Sequence, residues 1–244
     1  MENKTYKGIV LAGGAGTRLR PLTNVTNKSL LPVYDKPMIY YPIETLKSLG
    51  CEEIMIVSSS EHVGQVVQLL GSGKEMNCKF TYEIQDEANG IADALSLCED
   101  WVNGDNCIVI LGDNIYVDNE KIQLKKPETG GAIFLKEVPD PHRFGVAEVK
   151  DGKVIGIEEK PLYPKSNYCV TGLYIYDNRV FDIIKGLEPS ARGELEITDV
   201  NNKYIEWGEM RYKTVECSWI DAGTFDSLLL AANTVLNHRT RTQK

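Results

Sequence analysis

KGIVLAGGAGTRLRPLT, residues 7–23, changes character abruptly at its middle. Lys7 to Leu11 is a short apolar run, which reads as a buried parallel strand, and the small residues after it read as a tight loop. Without bulky side chains, such a loop lets backbone N–H groups approach phosphate oxygens closely, and Arg18 and Arg20 add positive charge beside it. A plain structural turn uses the same glycines, but Thr17-Arg18 directly after Gly16 favours a phosphate site. Two familiar phosphate loops do not fit. A P-loop requires Lys and then Ser or Thr after its last glycine, where this chain has Thr17-Arg18. A dinucleotide fingerprint requires a third glycine where Leu19 stands. It also requires an acidic residue closing the second strand, which here ends in Ser58, Ser59 and Ser60 before Glu61, so a dehydrogenase is disfavoured.

Outward from this loop the pattern alternates. A helix is expected over Pro37 to Leu49, with Pro37 in its first turn and Gly50 past its end. A strand at Ile54 to Val57, a helix near His62 to Leu70, a strand near Phe80 to Ile84, a helix over Ile91 to Cys98 and a strand at Cys107 to Leu111 follow. From Gly131 to Ile157 the pattern becomes short strands around an Asp151-Gly152 hairpin turn, an antiparallel excursion suited to one wall of a substrate cleft. Next come a strand at Val170 to Tyr176, helices near Asn178 to Lys185 and Glu194 to Trp207, a strand at Arg211 to Glu216 and a helix over Phe225 to Leu236. The tail NHRTRTQK is expected to fray. The expectation is an α/β fold: a Rossmann-like, mostly parallel open sheet flanked by helices, with the antiparallel excursion added. No repeat or linker interrupts residues 1–244, so one domain is expected.

Composition narrows the partners. The chain has 244 residues and 42% hydrophobic content, enough for a sizeable core, and a formal charge of −8. That charge leaves no broad basic face, so nucleic acid is not an expected partner. Its 6 cysteines are scattered without metal-ligand or redox spacing, and are expected to be buried free thiols. The N-terminal apolar run is too short for a signal sequence, and no stretch approaches the roughly 20 apolar residues of a membrane span. A soluble, cytoplasmic protein is expected.

After the loop, NKSLLPVYDKPMI (residues 27–39) places Lys28 and Lys36 where a cation can meet a phosphate, although each alone reads as a surface lysine. Asp113 and Asp221 each follow a short apolar strand. Two carboxylates so placed can hold one Mg²⁺ and leave coordination sites for phosphate and water, and Asp is also common in plain strand-end turns. In Glu158-Glu159-Lys160-Pro161, the proline biases Lys160 towards an extended backbone.

Together the segments GGAGTRLRPLT and KSLLPVYDKPMIYYP, followed by LGDN (111–114), EEKP (158–161), SNYCVTGLYIYD (166–177), RGELEITDVN (192–201) and WIDAGT (219–224), resemble the sugar-1-phosphate nucleotidylyltransferases. The resemblance is closest to the glucose-1-phosphate thymidylyltransferase branch and runs through most of the chain. It implies conversion of dTTP and glucose 1-phosphate to dTDP-glucose and pyrophosphate, the first step towards dTDP-rhamnose and other deoxysugars. By the same resemblance, Arg18, Lys28, Asp113 and Lys160 are catalytic. Leu11, Gly13, Gly14, Gly16, Thr17, Arg18, Lys28, Gln85, Gly90 and Asp113 bind the nucleotide, with Gln85 reading the pyrimidine edge. Asn114, Gly145, Glu159, Lys160, Val170 and Tyr174 bind the sugar phosphate, and Asp113 and Asp221 hold Mg²⁺. The roles of Asp86 and Glu87 stay open, and an ordinary strand glycine would look the same as Gly145.

The implied layout is a nucleotide-binding part over about 1–115, a sugar-phosphate part over about 116–224 and a C-terminal helix over 225–238. A homo-oligomer, tetramer or dimer, is implied too. Fuller members of the branch continue past Lys244 in a helical segment that contributes to a secondary nucleotide site, so that feedback site is expected to be missing. Two rivals are weaker. A metal-dependent glycosyltransferase would carry Asp-x-Asp, whereas Asp113 is followed by Asn114-Ile115. A non-catalytic sensor would have lost charges that are all present here.

Overall fold

The computed structural model describes residues 6–122 and 126–242. In chain order, its strands are β1 (Tyr6–Ala12), β2 (Pro32–Val33), β3 (Lys36–Pro37), β4 (Glu53–Ser59), β5 (Lys79–Gln85), β6 (Asn106–Leu111), β7 (Asn114–Val117), β8 (Gly131–Glu137), β9 (Gly145–Lys150), β10 (Lys153–Glu159), β11 (Tyr168–Tyr176), β12 (Met210–Thr214) and β13 (Ser218–Asp221). Its helices are α1 (Tyr40–Ser48), α2 (Val63–Leu70), α3 (Ile91–Ser96), α4 (Glu99–Val102), α5 (Val180–Lys185), α6 (Ile197–Glu206) and α7 (Phe225–Thr242). The fold is mixed α/β, with a mostly parallel sheet flanked by helices and antiparallel strands beside it. Among the described residues, no helix is long and apolar enough to cross a membrane. The chain packs into two compact units, each assembled from separated stretches.

One unit comprises Lys7–Ala88, Ile110–Gln123 and Cys217–Lys244. Here β1 runs parallel to β4, from Gly8↔Ile54 to Ala12↔Ser58, and β4 runs parallel to β5 out to Ser59↔Gln85. Ile9, Val10, Ile54, Ile56 and Val57 are fully buried, which explains why these strands read as continuous apolar runs rather than alternating ones. A second apolar cluster in this unit gathers Leu19, Leu31, Val33, Met38, Ile115, Ile220, Ala222, Ala231 and Val235. Leu19, in the place of a fingerprint's third glycine, is a buried anchor for the loop that carries it.

Four expectations are corrected here. Pro37 pairs with Pro32 in a two-stranded hairpin, and the helix starts at Tyr40. The turn between these prolines uses Tyr34 at φ 59°, a conformation that tyrosine does not advertise in sequence. The helix expected over Ile91 to Cys98 is two short ones, α3 and α4. The last helix continues past Leu236 to Thr242, so the tail expected to fray is helical as far as it is described, with residues 243–244 outside that range. Finally, the antiparallel pair β7 and β13, in register from Ser218↔Val117 to Asp221↔Asn114, was not expected.

The other unit comprises Met1–Tyr6, Asn89–Val109 and Leu124–Glu216. It contains the expected antiparallel excursion: β9 pairs with β10 around Asp151 (φ 50°) and Gly152 (φ 74°), a two-residue turn with both residues left-handed. β11 lies antiparallel to β8, and β12 parallel to β8. All 6 thiols are free as expected, and five of them are buried; Cys78 departs from the expectation in being only half-buried.

Asp177, 2% exposed, ties this unit together. Its carboxylate accepts from the Gly130 N–H (2.7 Å), Arg179 Nε (2.9 Å) and Tyr204 Oη (2.8 Å). Burial pushes this carboxyl up, and the hydrogen bonds from Arg179, Gly130 and Tyr204 outweigh it, holding it below the usual range. Removing the acceptor strands donors on three residues, Gly130, Arg179 and Tyr204, so Asp177→Ala should lower unfolding free energy by about 3 kcal/mol at neutral pH. A depressed carboxyl contributes stability above its unfolded pKa of about 4 and loses it as pH falls through the lower folded value. Denaturant titrations of both proteins across pH should therefore show the gap narrowing in acid; a gap independent of pH would contradict the assignment.

Candidate active site

The glycine loop leaves β1 at its carboxyl end. Gly16 sits at φ 60°, where a side chain would be strained and a Cβ would lie 2.9 Å from Thr23 and 3.0 Å from Lys28. Thr17–Leu19 then forms one 3₁₀ turn, and the Thr23 hydroxyl donates to the Gly16 carbonyl (2.8 Å), closing the loop. Gly14 is exposed, with Lys28 Nζ 3.9 Å from the position of a Cβ. A Cβ on Gly13 would fall 2.6 Å from Gln85 Oε1, so the buried Gln85 at the end of β5 leans directly on the loop backbone. Leu11 is buried, and its carbonyl accepts from Gly112 N (2.9 Å), which joins the loop strand to the segment carrying Asp113.

Asp113 and Asp221 are 108 positions apart in sequence and adjacent in space. The β7–β13 ladder ends at Asp221↔Asn114, and the Ala222 N–H donates to the Asp113 carbonyl (2.9 Å). Lys28 Nζ lies 2.5 Å from Asp113 Oδ2. Trp219 Nε1 donates to Asn114 Oδ1 (2.6 Å), and Asn114 Nδ2 donates to Asp113 Oδ1 (3.0 Å), so an indole orients the amide that orients the carboxylate. Arg18 lies beside Asp221: a Cβ on Gly223 would be 2.8 Å from Arg18 Nη2 and 3.0 Å from Asp221 Oδ1.

The two carboxyls move in opposite directions. Burial pushes Asp113 up, but the Lys28 charge and hydrogen bonds from Lys28, Asn114 and Asp221 outweigh it, and Asp113 is held below the usual carboxylate range. Burial and the Asp113 charge push Asp221 up to about 7, against the opposing pull of Lys28 and Arg18. Two buried acids with one ammonium between them favour one proton on the pair. Replacing that proton with a hard cation supplies the missing charge, and the donor set of carboxylate oxygens suits one. Among the described residues no group of three or more His, Cys, Asp or Glu gathers around a metal position.

In the other unit, Glu159 ends β10 opposite Gly145 of β9. Thr198 Oγ1, from the first turn of α6, donates to Glu159 Oε2 (2.6 Å), and a Cβ on Gly145 would be 3.3 Å from both groups. Lys160 Nζ and Arg192 Nη2 each lie 3.6 Å from Glu159 Oε1, and Arg192 forks onto Glu196. The backbone of Lys160 is not extended as Pro161 suggested: φ is 45°, with its N–H bonded to the Phe144 carbonyl (3.0 Å). Closing the end of the β9–β10 hairpin outweighs the steric bias of the proline. Val170 and Tyr174 are buried on β11 across a register shift, with Tyr174 stacked on Tyr176. Gly90, at φ 114°, has Leu195 O only 2.5 Å from a Cβ position, so the glycine is required by the chain's own packing.

The structure thus brings together Leu11, Gly13, Gly14, Gly16, Thr17, Arg18, Lys28, Gln85, Asp113, Asn114 and Asp221 in one unit, and Gly145, Glu159 and Lys160 in the other. Sequence reasoning missed Asn27, Gly112, Thr198, Trp219 and Gly223 as supports. Only the motif text around them carried any signal, because each acts through contacts with distant segments.

The nucleotidyl transferase family model matches residues 7–238. A glucose-1-phosphate thymidylyltransferase of Neisseria meningitidis is 43% identical over 236 residues, covering 94% of this chain and 82% of the relative. One from Mycobacterium tuberculosis is 44% identical over 235 residues, with the same coverages of 94% and 82%. Among solved structures, a Bacillus anthracis protein assigned as a glucose-1-phosphate thymidylyltransferase and crystallised with sucrose is 50% identical, covers 95% of both chains and superposes with a TM-score of 0.88. With its loop, its paired carboxylates and its motifs matched along nearly the whole length, the chain belongs to the nucleotidyl transferase family, in the branch of the glucose-1-phosphate thymidylyltransferases.

Proposed function

We propose that the chain joins dTTP to α-D-glucose 1-phosphate, forming dTDP-glucose and pyrophosphate, as one nucleotidyltransferase domain. The observation that carries this is the Lys28–Asp113–Asp221 cluster beside the glycine loop, in a chain so similar to named thymidylyltransferases. An oxygen of the sugar phosphate attacks the α-phosphorus of the triphosphate, and pyrophosphate leaves as that bond breaks. Both reactants are anions, so holding them in line against their repulsion is the main task of the protein.

Each residue has a part in that task. The loop N–H groups from Gly13 to Thr17 cradle the triphosphate, with Arg18 and Lys28 neutralising its oxygens. Gln85, held against Gly13, meets the pyrimidine edge. Glu159, oriented by Thr198, accepts from sugar hydroxyls, while Lys160 braces the sugar phosphate. Asp113 and Asp221 would hold Mg²⁺, which would offset charge on the phosphates. A second base is compatible with this site, because dTTP and UTP differ by one methyl and one hydroxyl, and apolar contact with the methyl is worth only about 1–3 kcal/mol.

Pyrophosphate release across a matrix of triphosphates and sugar 1-phosphates tests the reading directly. The expected maximum is dTTP with glucose 1-phosphate, with some UTP use; no release with any pair would refute it. Asp113→Asn or Asp221→Asn should cut turnover by at least about 10²-fold while leaving the fold intact. Because Asp221 must lose its proton to bind a metal, Mg²⁺ affinity measured by calorimetry should rise with pH and level off above about 7. Normal turnover and unchanged metal affinity in either variant would remove that residue from the metal site. Lys160→Ala should raise the KM for sugar phosphate more than that for dTTP, and equal effects on both would argue against the division of roles.

A further inference from the structure

Lys28 stands between a carboxylate and the phosphate loop. Its Nζ lies 2.5 Å from Asp113 Oδ2 and 3.9 Å from the position a Cβ would take on Gly14, an exposed glycine of the loop. The other oxygen of Asp113 accepts from Asn114 Nδ2 (3.0 Å), so the oxygen without an amide on it is the one the ammonium holds. The root of this side chain is fixed. Asn27 caps the turn Lys28–Leu30 by accepting from Ser29 N (2.7 Å), and ties it to β1 by donating to the Ala12 carbonyl (2.9 Å). The Leu31 N–H closes the same turn on the Lys28 carbonyl (3.1 Å). Beyond its root, lysine is a point charge on a flexible four-carbon stem. The ammonium can therefore reach either Asp113 or an anion over Gly14, and engaging one weakens its hold on the other.

Charge decides what each ligand meets. A divalent cation on Asp113 is repelled by an ammonium on the same carboxylate, and with both side chains largely out of water the repulsion is weakly screened. Arg18, beside Asp221, adds to it. A lone cation thus meets carboxylates that side-chain cations already face. A triphosphate on the loop changes this, because its negative charge draws the ammonium away from Asp113 and adds oxygens of the kind a hard cation takes alongside one or two carboxylates.

We propose that Lys28 couples the two ligands: it holds Asp113 against a lone divalent cation and releases it when a triphosphate binds, so that cation and nucleotide stay on the chain together. This rests on the phosphate loop and metal ligands of the proposed reaction. Binding of Mn²⁺ alone, read from its electron paramagnetic resonance signal at one fixed, mildly alkaline pH, tests it together with calorimetry of dTTP in the presence of a chelator. Lys28→Met should bind Mn²⁺ at least about 10-fold more tightly than the wild-type chain and metal-free dTTP at least about 10-fold more weakly, opposite signs that a general loosening of the site does not produce. Lys28→Arg, which keeps the charge, should bind Mn²⁺ no more tightly than wild type. Circular dichroism checks folding, and Lys28→Gln, with the same expectation, replaces Lys28→Met if that variant does not fold. Mn²⁺ affinity that is unchanged or weaker in the neutral variant, that rises equally in Lys28→Arg, or dTTP affinity that does not fall would each overturn the proposal. The Mn²⁺ measurement uses neither nucleotide nor turnover, so its failure is distinguishable from failure of the wild-type chain to release pyrophosphate, which judges the reaction itself.

Discussion

The site depends on placing two carboxylates side by side out of water. Asp113 and Asp221 repel each other, and burial raises the cost of ionising either. Lys28 compensates one charge, which is why Asp113 stays ionised while Asp221 holds a proton up to about 7. Arg18, beside Asp221, pulls the other way, so the pair is poised between holding one proton and losing it.

That poise is built by backbone geometry. The two-stranded ladder of β7 and β13 fixes Asn114 opposite Asp221, and the Ala222 N–H extends the pairing to Asp113. Apolar residues of the same strands, Ile115 and Ile220, drop into the cluster that also buries Leu19 and anchors the glycine loop. Loop and carboxylates are therefore positioned by one piece of core. Asn27 reinforces this: its side chain donates to the Ala12 carbonyl (2.9 Å) and accepts from Ser29 N (2.7 Å), holding the turn that presents Lys28. The sugar-side group is supported differently, with Glu159 oriented by a hydroxyl from the first turn of a helix and its neighbour Lys160 held by a backbone bond at the end of a hairpin.

Much of the fold was legible. Continuous apolar runs at Ile9–Leu11 and Ile54–Val57 gave buried parallel strands because both faces are covered, and Asp151-Gly152 announced its hairpin because few residues accept two left-handed conformations in succession. The misses have physical causes. Tyr34 turns a hairpin against its own preference because Tyr41 and Leu31 hold the strands on either side, through the Tyr41 Oη bond to the Val33 carbonyl (2.7 Å) and the Met38 N–H bond to the Leu31 carbonyl (2.9 Å). The four residues of β7 and of β13 are too short to show a period, and each forms only because the other exists.

What the sequence by itself determined is therefore local and chemical: where strands and loops lie, which residues can meet a phosphate and which family text they spell. These follow from side-chain size, charge and backbone preference within a few residues. Tertiary structure alone decided that Asp113 and Asp221 lie side by side out of water, which raises Asp221, that Trp219 orients Asn114, that Gln85 rests on Gly13 and that Gly90 is a glycine because of Leu195. Each of those is a contact between segments far apart in the chain, set by core packing and ladder register, and no local pattern encodes a register between strands about a hundred residues apart.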